Sequence, residues 1–244
     1  MLKILKNKLK SNKNYYDYLV NETRKDWLKL YGFNEKYVGQ EEKLFSMFAR
    51  SDSFNKTIKM ILISDTHGSL NLEEFRKFVN VHSNYDACIL LGDHSSNDIE
   101  KILSCTNKNK LYGILGNHDC DYLSKYNITN LNGNLINING VTLLGIEGSY
   151  KYKPSSYPSF SQADSIRFLN NLSKADILLS HDGKFDEKKS NDPAHQGLFG
   201  ITYYLYKNRV PYHIHGHLHK SYKKEMLNGT KEISVYMYEY IELK

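Results

Sequence analysis

Lys59-Met60-Ile61-Leu62-Ile63-Ser64 runs directly into Asp65-Thr66-His67, and this junction of a short apolar run with polar, metal-capable side chains sets the reading of the whole chain. A run of β-branched and leucine-type residues bounded by turn residues is what a buried strand looks like, although periodicity alone leaves a buried helix open. The same junction recurs four times. Ala87-Cys88-Ile89-Leu90-Leu91-Gly92 leads to Asp93, and Lys110-Leu111-Tyr112-Gly113-Ile114-Leu115-Gly116 leads to Asn117-His118. Ala175-Asp176-Ile177-Leu178-Leu179-Ser180 leads to His181, and Val210-Pro211-Tyr212-His213-Ile214-His215-Gly216 to His217. In open α/β sheets ligands bind in the crevice outside the carboxyl ends of the strands. Runs that repeatedly end in such residues therefore gather Asp65, Asp93, Asn117, His181 and His217 around one expected site.

The segments between these runs read as helices. Asn71-Leu72-Glu73-Glu74 places a capping residue three before a Glu, and Leu72, Phe75, Phe78, Val79 and His82 follow at helical spacing. Ser161 with Asp164 opens a second such pattern, Ala163, Ile166, Leu169 and Leu172. Helices alternating with strands make βαβ units. Val141-Thr142-Leu143-Leu144-Gly145-Ile146 adds a buried strand, and Asn228-Gly229 between Tyr222–Met226 and the alternating run Ile233 to Leu243 marks a hairpin. The fold class is α/β, layered, with mixed sheets.

His217 and His219, two apart beside the flexible Gly216, can offer imidazole nitrogens to two adjacent metal ions. A histidine cluster on its own is equally a solvated edge; the matching strand ends favour the metal reading. Carboxylate, amide and imidazole donors suit divalent ions such as Mn, Fe, Zn or Ni, and the lack of thiolates argues against a soft-metal cage. Cys88, Cys105 and Cys120 show no paired spacing. Cys88 lies within an apolar run and reads as a core residue, and Cys120 as a neighbour of the site without a ligand role.

Asp65-x-His67, Gly92-Asp93, Gly116-Asn117-His118-Asp119, His181 and Gly216-His217-x-His219 resemble, in order, the five motifs of the calcineurin-like metallophosphoesterase superfamily, over about residues 58 to 220. The resemblance implies a four-layer α/β/β/α sandwich of two mixed sheets flanked by helices, the strands after Gly229 completing the second sheet. It implies two divalent cations, Mn foremost with Fe, Zn or Ni as alternatives. One would be held by Asp65, His67, Asp93 and His219, the other by Asp93, Asn117, His181 and His217, with Asp93 bridging.

Two ions about 3.5 to 4 Å apart lower the pKa of bound water from about 15.7 towards 7, so a bridging hydroxide can attack phosphorus in line while the ions offset phosphoryl charge. The leaving oxygen then needs a proton. His118 is the candidate, because it follows a ligand and so stands near the ions, and the family resemblance implies the same role. The stretch Gly92-Asp93-His94-Ser95-Ser96-Asn97-Asp98 departs from the protein serine/threonine phosphatases of this superfamily, since no Arg follows. That argues against protein phosphatase activity and leaves Asp98 or Asp119 to supply a carboxylate partner for His118. The pattern resembles more the bacterial and phage-type phosphodiesterases and nucleases. His94 reads as facing solvent or lying behind the ligands, and His213 and His215 as support or packing. His82 and His195 read as structural or exposed, with His195 also a candidate substrate contact.

The 244 residues carry a net charge of +6. Residues 1–57 hold 12 Lys and Arg against 7 Asp and Glu, a net of +5, so nearly all the excess lies outside the resemblance. This segment is read as a basic helical N-terminal extension before a catalytic domain at 58–244. Trp27, Leu28, Leu30 and Phe33, then Leu44, Phe45, Met47 and Phe48, suggest two short amphipathic helices around Gly32 or Gly39. Packing on the core, a dimer contact and a nucleic-acid-guiding arm are the readings weighed for it. Lys6 to Asn14 reads as a frayed opening. No apolar run follows the charged start and none reaches spanning length, so no export signal and no membrane segment are expected. With three unpaired Cys this fits the cytoplasm.

Two segments are candidate substrate rims. Ser149 to Ser161 bears Tyr150, Tyr152, Tyr157 and Phe160 with Pro154 and Pro158, aromatics that could stack a base or simply anchor the loop. Asp182 to Gly197 is the other. The function expected is hydrolysis of phosphoesters, foremost phosphodiesters of nucleotides or nucleic acid. The alternatives are a small-molecule phosphomonoesterase and a non-catalytic scaffold of the same fold.

Overall fold

A computed structural model of the chain describes residues 21–47, 49–153, 157–189 and 192–244. Phe48, Pro154 and the Lys6 to Asn14 opening lie outside the described residues. The chain divides into two compact units, 1–48 and 49–244.

In the first unit, helix α1 runs over 21–30 and α2 over Glu41–Ser46. Gly32 and Gly39 both take positive φ, 75° and 92°, which is what lets the chain turn between the helices. Trp27, Leu28 and Phe45 are buried, and Phe45 meets the rings of Trp27 and Tyr31 at 4.6 and 4.1 Å. Leu30 and Met47, which the apolar pattern also includes, are exposed. A buried pair ties the two helices: Arg24 Nε and Nη2 donate to the two carboxylate oxygens of Glu41 at 2.7 and 2.9 Å.

The second unit is built on two mixed sheets. In chain order its strands are β1 Ile58–Ser64, β2 Ala87–Leu90, β3 Leu111–Gly113, β4 Thr129–Asn130, β5 Leu135–Ile138, β6 Val141–Ile146 and β7 Ser149–Tyr150. They continue with β8 Ser159–Phe160, β9 Ile177–Ser180, β10 Tyr212–His215, β11 Tyr222–Glu225, β12 Lys231–Ser234 and β13 Met237–Leu243. One sheet has the order β13-β1-β2-β3-β4 and the other β11-β12-β10-β9-β6-β5, with β7 and β8 a separate short pair. The central strands β1-β2-β3 and β12-β10-β9-β6 run parallel, and β13, β11 and β5 close the edges antiparallel.

Met60, Leu62, Ile89, Leu143, Leu179, Ile214, Ile233 and Ile241 come from both sheets into one buried cluster, the middle of the sandwich. Alternation sends Ile61, Ile63, Cys88 and Leu90 to the other face, against Phe75 and Val79 of α3 (Leu72–Val81) and Ile99 and Ile102 of α4 (Ser96–Cys105). The short α5 spans Tyr122–Tyr126. Helices α6 (Gln162–Asn170) and α7 (Phe199–Asn208) pack on each other as the remaining helical layer, and α7 is buried along most of its length. This is the expected four-layer α/β/β/α sandwich.

Local chemistry sets the helix starts. The Asn71 side chain accepts from Glu73 N and Glu74 N, and the Ser161 side chain from Asp164 N. The buried face of α6 differs from its apolar pattern. Gln162, Ser165 and Leu169 are buried, because Gln162 accepts from Phe199 N and donates to Gly197 O, and Ser165 Oγ accepts from Gly200 N where the two helices touch. The Asn228-Gly229 hairpin forms, with Gly229 at φ 89° and β11 paired to β12. The run beyond it is not one strand. It breaks at Val235-Tyr236, so that β12 joins β10 in the second sheet whereas β13 crosses to pair with β1 in the first. Only β12 therefore completes the second sheet.

Residues 49–57, grouped by sequence with the extension, run along the second unit. Ser51 N and Asp52 N donate to Asn228 O and Arg209 O, Lys56 pairs with Asp176, and the Phe54 ring stands edge-on to Tyr212 at 5.0 Å.

Candidate metal centre

Each strand that ends at the crevice must turn sharply for its polar side chain to face inward, and the backbone shows the cost. Asp65, His67, Asp93, His217 and His219 all take left-handed φ, between 44° and 67°, a region that L side chains rarely enter. Glycines make room between them. A Cβ on Gly116 would fall 2.1 Å from Asp93 Oδ1, and one on Gly216 would fall 1.8 Å from Ser64 Oγ and 2.7 Å from Asp65 Oδ2. Loops from both sheets thus approach closer than any side chain would allow.

The candidate donors converge. Asp65, Asp93, His181 and His217, all buried, form one group whose ligating atoms lie within 4.8 Å of one another, and Asp65, His67 and His219 form a second. Asp65 is common to both groups. Asp93 also stands between them, its Oδ2 lying 3.5 Å from His181 Nε2 and 3.8 Å from His67 Nε2. Asn117 Oδ1 is 3.1 Å from His181 Nε2. All seven expected metal residues are therefore brought to one place.

Several of these atoms face each other without an adequate protein partner. Among the described residues, Asp65 Oδ1 and Asn117 Nδ2 are buried without a hydrogen bond. The Nε2 atoms of His67 and His219 point at each other across 3.2 Å. Leaving a carboxylate oxygen buried and unpaired is costly, and converging oxygens and imidazole nitrogens are the donor set of a borderline divalent cation. The residues fit such an ion. Burial pulls the His181 imidazole down, yet the carboxylates of Asp93 and Asp65 outweigh it and hold it up at about 10.

A surrounding set of bonds fixes the donors. His181 Nδ1 meets Leu91 O at 2.8 Å, and His217 Nε2 meets Ala194 O at 2.6 Å. Each donation to a carbonyl leaves the other ring nitrogen to face the cluster. Asp65 Oδ2 accepts from Ser64 Oγ and His217 N, joining the ends of β1 and β10. The Asp119 carboxylate accepts from three backbone N–H groups, Asp93 N at 2.7 Å, His94 N at 2.6 Å and Gly116 N at 2.6 Å. Burial raises Asp119 to about 6 with help from the Asp93 charge, against the lowering effect of those three bonds. Asp98 accepts from Gly68 N and Leu70 N and pairs with Lys101.

Both carboxylates weighed as partners of His118 are thus committed elsewhere. His118 itself is exposed, with its backbone N–H donating to Asp93 Oδ1 at 2.9 Å and its ring 6.3 Å from that of His67. Its side chain makes no hydrogen bond among the described residues. His94 is buried rather than facing solvent. Its Nδ1 meets Thr66 Oγ1 at 2.9 Å, and burial pushes it down to about 4. Cys88 is buried in β2, and Cys120 is exposed and outside both donor groups.

The sequence profile of the calcineurin-like phosphoesterases matches residues 58–221, two thirds of the chain and the whole span of the cluster. The chain belongs to the calcineurin-like phosphoesterase family. One solved structure is similar with a TM-score of 0.56 at 14% identity, covering 77% of this chain and 95% of its own. A 5'-nucleotidase precursor from Thermus thermophilus is similar at 13% identity with a TM-score of 0.47, covering 78% of this chain and 51% of its own. The phosphopantetheinyl hydrolase PptH of Mycobacterium tuberculosis is similar at 11% identity with a TM-score of 0.48, covering 73% of this chain and 89% of its own. No curated protein matches.

In this calcineurin-like chain, β10 carries more than its terminal ligand. His213 Nε2 meets Ser180 Oγ at 2.8 Å, and the His213 ring stacks on His215 at 5.0 Å. His215 Nδ1 meets Gly216 O at 3.0 Å, within the turn that precedes His217, and its Nε2 lies 3.3 Å from Glu232 Oε1. Glu232, buried on β12, also accepts from Tyr222 OH at 2.7 Å and pairs with Lys224 at 3.0 Å. Burial would raise this acid, but His215 and Tyr222 hold it well below the usual carboxylate range. The sequence offered no pointer to Glu232, which stands 15 residues beyond His217 on a strand that reads as alternating. Glu232→Gln, which keeps the shape and removes the charge, is expected to weaken divalent-ion affinity by about 10-fold or more. Titration of Mn into the metal-free protein checks this, and unchanged affinity would discard the support role.

Among the described residues no helix is long and apolar enough to cross a membrane.

Proposed function

We propose that this protein is a binuclear metal-dependent phosphoesterase acting on phosphodiesters of nucleotides or nucleic acid. The convergence of buried carboxylate and imidazole donors, among which Asp65 Oδ1 has no hydrogen bond within the described residues, carries the reading. Asp65, His67, Asp93 and His219 would hold one divalent cation, and Asp93, Asn117, His181 and His217 the other, with Mn the first choice. When bound, such ions polarise phosphoryl oxygens and make a water nucleophilic at neutral pH.

The chain's own residues do the rest. Leu91 O and Ala194 O orient the imidazoles of His181 and His217, and the Asp119 carboxylate holds the Asp93 and Gly116 turns together. His118, exposed beside this cluster with its backbone fastened to Asp93, donates the proton that the leaving oxygen takes up. Among the described residues its ring has no carboxylate partner, so it works without the buttress found in a linked acid–imidazole pair. Preference for diesters rests on the Gly92 to Asp98 stretch, which has no Arg for a protein-phosphatase arrangement. On the Ser149 to Ser161 rim, Tyr150 is buried and Phe160 packs on Phe168, so both anchor the loop, whereas Tyr157 is 78% exposed and free to stack on a base. Three free cysteines favour the cytoplasm.

The test is turnover of an aryl phosphodiester and an aryl phosphomonoester with added Mn, followed by single- and double-stranded DNA and RNA and by small nucleotides. Diester cleavage with little monoester cleavage is expected. The reverse ranking would leave a phosphomonoesterase, and no turnover of any substrate would leave a scaffold. Independently of turnover, Mn at about 100 times its Kd should stabilise the fold by about 2.7 kcal/mol, a rise of roughly 5–10 °C in Tm that a chelator reverses. An unmoved Tm would count against an ion in the cluster.

A further inference from the structure

Beside the cluster lies a cavity of about 570 Å³, whose wall includes Lys189, His195, Lys220, Tyr222 and Lys224. It adjoins the candidate metal centre at two points. The His195 ring lies 5.2 Å from that of His217, and Lys220 follows His219 directly in the chain. Its volume is that of a small-molecule pocket.

The charges in its wall are unequal in what they leave free. Lys224 is held by Glu232. Of the two acids present, Asp192 Oδ2 holds His195 Nδ1 at 2.7 Å, whereas Asp186, whose Oδ1 accepts from Lys188 N at 3.0 Å, keeps its charge and offsets one of the lysines. Neither Lys189 nor Lys220 forms an ion pair among the described residues. Because Asp192 occupies Nδ1, His195 is left with Nε2 as its free polar atom. The cavity thus presents two ammonium groups without an ion pair and an imidazole next to the place where the scissile phosphate would sit. Two unpaired positive charges match a terminal phosphate, which carries a charge of about −1.5 to −2 at neutral pH.

We propose that this cavity is a subsite for a second phosphate of the substrate, bound by Lys189 and Lys220, so that the preferred substrates are small phosphoesters carrying two phosphate groups. This deepens the phosphoesterase reading and rests on it. It gives the Asp182 to Gly197 segment the role of specificity rim, because that segment supplies both Lys189 and His195 to the cavity and the Ala194 carbonyl that orients His217.

The experiment compares ligands that differ by one phosphate, with binding read by calorimetry on the Mn-loaded protein. Methylene-ADP, whose bridging carbon resists hydrolysis, is set against AMP, and the dinucleotide pApA against ApA, both with a methylene in place of a bridging oxygen of the internucleotide link so that neither is cleaved. Binding about tenfold or more tighter is expected for the member with the extra phosphate in at least one pair. A preference in the first pair assigns the spacing of a diphosphate, and one in the second pair that of a nucleotide chain. The Lys189→Gln/Lys220→Gln double variant should remove the preference. Lys223→Gln, whose ammonium pairs with Glu239 outside this cavity, should retain it. Equal binding within both pairs, or a preference that survives the double variant, overturns the subsite. Aryl ester turnover is scored separately, so failure of the hydrolase reading and failure of the subsite are told apart.

Discussion

Asp93→Asn is expected to lower phosphoester turnover by about three orders of magnitude or more with the fold retained. The substitution keeps the shape of a buried side chain and removes one charge from the middle of the donor set. Asp93 Oδ2 lies between His181 Nε2 at 3.5 Å and His67 Nε2 at 3.8 Å across the cluster, and Oδ1 accepts the His118 backbone N–H. An amide can still accept that N–H through its oxygen, so the turn that carries His118 should persist. A divalent cation loses a full countercharge, and several kcal/mol of transition-state stabilisation corresponds to about 10³ in rate. Metal content per chain, measured beside kcat, separates a lost ion from a misplaced one. A variant with full metal content and turnover within a few-fold of the parent would remove Asp93 from the centre of the site. Asn117→Ala and His217→Ala should fall in the same direction.

Asp119→Ala is expected to act mainly on stability, lowering it by about 3–5 kcal/mol in urea unfolding of the metal-free protein. Three backbone N–H groups from two loops end on this one carboxylate, and each buried donor left without an acceptor costs about 1–3 kcal/mol. Relief of repulsion from Asp93 offsets part of the sum. Asp119→Asn retains one accepting oxygen and should cost less. If Asp119 instead served His118, Asp119→Asn would change kcat and its pH profile while leaving unfolding untouched, and that result would overturn the structural role.

The parts of the site that were legible in the sequence are those whose cause is local. An apolar run followed within three residues by Asp or His is written contiguously, and the structure turns each of Asp65, Asp93, Asn117, His181 and His217 into the same crevice. The supporting set was not legible, because its causes are distant pairings. Glu232 reaches His215 only because β12 lies beside β10. Asp119 looks like a motif member whose business is His118, yet its oxygens are claimed by main-chain groups that no residue pattern records. The switch of β13 into the first sheet was hidden for a similar reason. The sequence Ile233 to Leu243 alternates as a single strand would, and the break falls at Val235-Tyr236, just before the positive-φ Met237, with no glycine to announce it.

That switch bears on how the molecule comes to be folded. β13 pairs with β1 along its whole length, from Ile58 opposite Leu243 to Ser64 opposite Met237. The two partners are nearly the full span of the unit apart in the chain, and closing so long a loop is slow relative to local pairing. Until it closes, Met60-Ile61-Leu62-Ile63 offers an open row of backbone donors and acceptors on an apolar strand, the template on which chains add to one another. The strand that leads into Asp65 is therefore also a segment open to self-association during refolding, and the crossing of Met237–Leu243 is what takes it out of circulation.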